Sequence, residues 1–135
     1  MLGIIRREAG IAIAGKLLGD GVLATFSSAR EAISAALGLQ ELGRNSALHL
    51  HIGLHTGDVI EEPDVHGRQN ISGGAVNIAS RICAESAPNE ILVSHSIVLS
   101  ARTSVTDVRF EDRGEWTLKG IKDPLRLFVI QRADA

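Results

Sequence analysis

Tyrosine is absent from this chain, and Phe26, Phe110, Trp116 and Phe128 are its only aromatic residues. Four rings in 135 residues leave the core to aliphatic side chains and argue against the stacking platforms used by single-strand nucleic-acid binders. Cysteine is equally scarce: Cys83 is the only one, so no intrachain disulfide can form. No apolar run approaches the roughly 18 to 20 residues of a membrane span, and the N-terminus lacks the charged, apolar and small-residue order of a secretory signal. A cytoplasmic chain without direct membrane insertion is the expectation. Positive charge is not in excess either. Fourteen Lys plus Arg against sixteen Asp plus Glu give a net charge of -2, so no basic field marks a nucleic-acid polymer as partner. The phosphate-loop pattern G-x-x-x-x-G-K-[ST], the dinucleotide G-x-G-x-x-G after a strand and the hydrolase elbow G-x-S-x-G are all missing, and those chemistries lose support with them.

What is present suits one domain. Hydrophobic residues make up 44% and charged residues 22%, a composition that folds, and the length allows a single core burying about two-thirds of the unfolded chain's surface. Ile11 to Leu18 and Val22 to Phe26 read as two antiparallel strands joined at Gly19-Asp20-Gly21. Ser28 and Glu31 have capping-box spacing, and apolar residues at helical intervals predict a helix over 28–43 with Gly43 as its stop. From Leu48 to His55 the chain alternates, giving a half-buried strand with His49, His51 and His55 on one face. Glu62 to Asn70 reads as a surface loop. Ala75 to Cys83 marks an amphipathic helix ending before Pro88, Ile91-Leu92-Val93 a short buried strand, and Ser94 the cap of a brief helix reaching Leu99. Val108 to Phe110, Trp116 to Leu118 and Leu125 to Ile130 are strand-like, with Gly114 and the segment Lys119 to Pro124 between them. Hairpins with helices packed on the sheet give an α+β fold.

Singly, the polar residues of these segments have ordinary explanations. Asp20 is accounted for by turn chemistry, Lys16 is a strand lysine, and Asn77 and Arg81 form a polar helix edge. Three histidines on one strand face are a conceivable zinc site, but neighbours lie about 6 to 7 Å apart and no Cys or acidic cluster accompanies them. Their order and spacing together carry more. Lys16-Leu-Leu-Gly-Asp20-Gly-Val-Leu-Ala-Thr-Phe26, then Ile52-Gly-Leu-His-Thr-Gly-Asp-Val59, then Gly73-Gly-Ala-Val-Asn77-Ile-Ala-Ser-Arg81 resemble the catalytic domain of class III adenylate and guanylate cyclases. Glu90 to Ser94 and Leu118 to Ile121 continue the resemblance, which covers nearly the whole chain.

That resemblance implies an α+β, ferredoxin-like nucleotide cyclase domain over residues 1–135, lacking its opening strand. The implied reaction is attack of the ribose 3′-hydroxyl on the α-phosphate of ATP or GTP, with release of pyrophosphate. Asp20 matches one of two metal-binding aspartates for Mg2+ or Mn2+. Asn77 matches the residue that orients the ribose, and Arg81 the one that stabilises charge on the α-phosphoryl group. Lys16 matches the adenine-contacting lysine of adenylate-type members and leans toward ATP, while Asn70 stands at the second base-contacting position, where an amide both donates and accepts. Lys119 and Lys122 are the loose candidates for the triphosphate lysine, which stays unassigned. Members pair head to tail, so a homodimer is expected. The family's other metal aspartate has no counterpart here. Two divalent cations about 4 Å apart repel by roughly 4 kcal/mol even with water-like screening, so a site with one of its two carboxylates holds a metal pair poorly. Weak or absent turnover by the chain alone is therefore expected, and a catalytically inactive cyclase-like dimerisation or regulatory module is the alternative reading.

Overall fold

The computed structural model describes residues 16–18, 21–23, 26, 28–45, 50–57, 60–63, 69–72 and 74–133. Expected strand residues outside these ranges, His49, and the turn residue Asp20 therefore lie outside the described residues. The first two strands, β1 (Lys16–Leu18) and β2 (Gly21–Leu23), pair antiparallel with Lys16 opposite Leu23 and Leu18 opposite Gly21. Helix α1 (Ala29–Arg44) begins where Ser28 Oγ accepts the Glu31 backbone N–H at 3.2 Å, satisfying one of the four N–H groups a helix start leaves over. It runs through Gly43 and ends at Asn45. Gly43 is thus not the stop. A Cβ there would lie 2.7 Å from Asn89 Oδ1, so close approach, and not a C-cap, explains the glycine.

Strand β3 (His51–Leu54) runs parallel to β6 (Glu90–Ser94), β6 is antiparallel to β8 (Leu125–Arg132), and β8 to β7 (Val108–Trp116), giving the order β3-β6-β8-β7. Helix α2 (Gly74–Glu85) and helix α3 (His95–Ala101) follow β3 and β6 in the chain. Two cores sandwich this sheet. Ile33 and Leu37 of α1 and Ile97 of α3 pack with Ile52, Ile91, Val93 and Ile130 on one face; Ile82 of α2 packs with Leu92, Leu127 and Val129 on the other. Because both faces are covered, Ile91 to Ser94 are all buried, which is why β6 reads as an unbroken apolar run instead of an alternation. The mixed sheet with its helices is the α+β arrangement that composition and periodicity predict.

Three segments differ from expectation. The stretch 62–70 is not simply a loop: β4 (Ile60–Pro63) and β5 (Gln69–Ser72) pair antiparallel, with Glu62 opposite Asn70. The sequences Ile60-Glu-Glu-Pro63 and Gln69-Asn-Ile-Ser72 give no apolar alternation to signal a strand. Gly114 does not end a strand but sits at φ 79° within β7, where the register with β8 shifts between Asp112 and Glu115, a bulge position for which glycine suits. Asp112 accepts the Gly114 N–H at 2.7 Å and two Arg126 N–H groups at 2.6 and 2.9 Å. The bond from Arg126, then that from Gly114, holds its carboxyl below the usual carboxylate range. Ser94 occupies the position before α3, yet its hydroxyl makes no capping bond and the helix continues to Ala101. Among the described residues, no helix is long and apolar enough to cross a membrane.

Candidate active site

Helix α2 carries Asn77 and Arg81. At 100° per residue their directions differ by 40°, so they share a face, and Asn77 is exposed with Arg81 half-buried. The opposite direction belongs to Ala79 and Cys83, whose backbone atoms lie against Gly53 of β3, while Ile82 enters the core. Sequence periodicity gives this division: small or apolar residues dock the helix, polar ones face away. None of the ion pairs among the described residues involves Arg81, so no carboxylate there already neutralises the guanidinium.

The other predicted site residues stand elsewhere along the chain. Lys16 opens β1 and Asn70 lies in β5; Asp20 lies outside the described residues. Lys119 and Lys122 are both exposed in the segment after β7, where Leu118 is buried and accepts the Ile121 N–H at 3.0 Å. The segment is anchored by its apolar residues, which leaves both amines at the surface without marking either as a ligand.

The histidine face resolves into separate structural roles. His51 Nδ1 is 2.7 Å from the Ser86 carbonyl; a carbonyl only accepts, so Nδ1 carries the proton. His55 Nδ1 is 2.7 Å from Ser94 Oγ, which is 2.7 Å from Ser96 Oγ. One ring ties β3 to the end of α2, the other to the start of α3. Burial lowers the His55 pKa below its ordinary value of 6.5, favouring the neutral ring. Among the described residues, no group of three His, Cys, Asp or Glu side chains is disposed to hold a metal ion.

Sequence reasoning did not find the parts that fix α2 and α1 on the sheet. Gly53 was visible within the Ile52-Gly53-Leu54 run, but only the packed structure shows the backbone lying on it. Likewise Asn89, at φ 61°, receives the Gln40 side-chain amide at its carbonyl and the Leu50 N–H at its Oδ1. An Asn in the Pro88-Asn89 turn was the available signal.

Residues 21–132 match the family model for the adenylate and guanylate cyclase catalytic domain. The curated relative "Putative adenylate cyclase 3" of Rhizobium meliloti (strain 1021) is 32% identical over 124 residues, covering 84% of this chain and 20% of the relative. The chain thus spans about one-fifth of that relative's length. Among solved structures, the adenylate/guanylate cyclase/hydrolase from Silicibacter pomeroyi is 30% identical with a TM-score of 0.77, over 98% of this chain and 78% of that one. The guanylate cyclase domain of RhGC from Catenaria anguillulae, solved with GTP, is 19% identical with a TM-score of 0.80, over 98% and 78% respectively, and shares the fold. With the fold matched and a family match extending from β2 to the end of β8, the chain belongs to the class III adenylate and guanylate cyclase catalytic domain family, whose reaction type is that of a phosphorus-oxygen lyase.

Proposed function

We propose that the chain converts ATP, with GTP the less favoured substrate, to the 3′,5′-cyclic monophosphate and pyrophosphate, slowly in isolation. The observation that carries this reading is the shared, outward face of Asn77 and Arg81 on α2, with the guanidinium paired to no described carboxylate. Asn77 holds the ribose, so that its 3′-hydroxyl is in line with the α-phosphorus. Arg81 donates to the α-phosphoryl oxygens as charge grows on them, a task for which a planar, permanently charged fork is suited. Lys16 and Asn70 contact the base, and the lysine favours adenine; the adenylate cyclase name of the R. meliloti relative points the same way. Asp20 offers the hard carboxylate oxygen that Mg2+ or Mn2+ prefers. A divalent cation bound there would supply charge neutralisation for the triphosphate and lower the pKa of the attacking hydroxyl. Two copies associate head to tail, bringing Asp20 of one to Asn77 and Arg81 of the other.

The reading is tested by incubating the chain with Mn2+ and ATP or GTP and identifying products by mass spectrometry. Cyclic nucleotide and pyrophosphate in equal amounts, lost in Arg81→Ala, are expected. Nucleotide binding and dimerisation without any product, in this chain and in a version extended to supply the second metal aspartate, would replace it with the inactive dimerisation or regulatory module.

A further inference from the structure

Gly53 lies at the centre of β3, directly beneath the helix that carries Asn77 and Arg81. A Cβ built on it would sit 2.4 Å from the Cys83 nitrogen, 2.7 Å from the Cys83 Cα and 3.0 Å from the Ala79 carbonyl oxygen. All three are backbone atoms of α2, so no side-chain rotation relieves the contact. Two further ties hold the same seam: the Cys83 thiol donates to the His51 carbonyl at 3.2 Å, and His51 Nδ1 donates to the Ser86 carbonyl just beyond the helix. The helix is therefore held backbone-to-strand along its C-terminal half, at a distance that the missing side chain permits.

We propose that Gly53 is a positioning residue for the cyclase reaction, setting the height of α2 above the sheet and through it the reach of Asn77 and Arg81 toward the nucleotide. The inference rests on the roles assigned above to those two side chains. Ordinary contact begins near 3.4 Å, so a methyl group at residue 53 must lift the helix by about 1 Å. Ala79 and Cys83 point toward the strand and Asn77 and Arg81 away from it, so the lift carries both polar groups outward together. A misplacement of about 1 Å at a distance from the chemistry is enough to cost on the order of 100-fold in rate. Substrate binding depends on further residues on other elements, so the loss belongs in kcat more than in KM.

The test compares the full chain with its Gly53→Ala variant, using the sole cysteine as an internal probe. Expected for Gly53→Ala are several-fold faster thiol labelling of Cys83 and a kcat for Mn2+-ATP lowered by about 10- to 100-fold, with KM within a few-fold of wild type. Ile33→Val, which loosens the opposite core, should lower the melting temperature while leaving labelling and kcat unchanged. Wild-type labelling and kcat in a folded Gly53→Ala protein would overturn the proposal. Should that variant not fold, Cys83→Val thickens the seam from the helix side. A several-fold fall in kcat at constant KM is then expected, and a wild-type kcat would overturn it. Failure of the cyclase reading looks different: Arg81→Ala then leaves turnover unaltered, or neither the chain nor a version supplied with the second metal aspartate turns over nucleotide, and the labelling rates still decide whether Gly53 sets the helix.

Discussion

Asn89 joins three parts of the molecule through one side chain and one unusual backbone angle. Its φ of 61° is a conformation that asparagine tolerates better than most residues, and its bonds tie Gln40 of α1 and Leu50 ahead of β3. Replacing it with alanine leaves the Leu50 N–H without its acceptor and keeps the strained angle, a loss of about 2 to 4 kcal/mol. Asn89→Gly relieves the angle and should be the milder of the two by about 1 kcal/mol in denaturant titrations. Gly43 tests the same contact from the other side. Helix propensity alone gives Gly43→Ala a gain of about 1 kcal/mol, whereas a Cβ 2.7 Å from Asn89 Oδ1 disturbs the bond to Leu50. No gain in stability is the expected result. His55 supplies a pH dependence. Its lowered pKa means that the unfolded chain takes up the proton first on acidification, so stability is full above about pH 6.5 and declines as the pH falls from there toward the folded-state value. His55→Gln should flatten that part of the stability curve. At Arg81, alanine should lower kcat by about 10²- to 10³-fold, the usual effect of removing one transition-state donor. Lysine should restore little, because a point charge lacks the planar fork.

Among the elements, β7 and β3 each hold a glycine, and their opposite surroundings separate backbone conformation from packing. Gly114 has φ 79° and nothing within 4 Å of a Cβ, whereas at Gly53 a Cβ strikes the helix backbone. Gly114→Ala should therefore cost only the left-handed penalty, about 1 kcal/mol or some 3 to 5 °C in Tm, with kcat untouched. The same contrast explains which elements the sequence revealed. Helices α1 and α2 were legible because apolar residues recur at 3.6-residue spacing and Ser28 with Glu31 announces a start; β6 was legible as a run of aliphatic residues. The β4–β5 ribbon was not, since neither strand carries an alternating apolar face, and Gly114 looked like a terminator because a bulge and a turn demand the same backbone freedom. Asn77 and Arg81 could be placed on one helix face from spacing alone. Their distance from the sheet could not, because it depends on backbone contacts between residues 53, 79 and 83, which no local pattern encodes.

In the whole molecule, the proposed head-to-tail pairing divides the chemistry between two copies. Mixing Asp20→Ala with Arg81→Ala should then yield turnover that neither variant shows alone, because one of the two sites in a mixed dimer retains both residues. Additive silence of the two variants would place the residues within a single copy. In the proposed site Asp20 is a metal carboxylate, and supplying a second one should raise turnover by several orders of magnitude, the scale on which metal-centred charge stabilisation operates. The most direct measurement is of products formed with Mn2+ and ATP by the 135-residue chain, the N-terminally extended chain and the extended Arg81→Ala variant. Expected are trace cyclic nucleotide from the first, abundant cyclic nucleotide with equimolar pyrophosphate from the second, and a loss of about 10²-fold or more in the third. Equal rates in the second and third, or a linear monophosphate in place of the cyclic one, would contradict it.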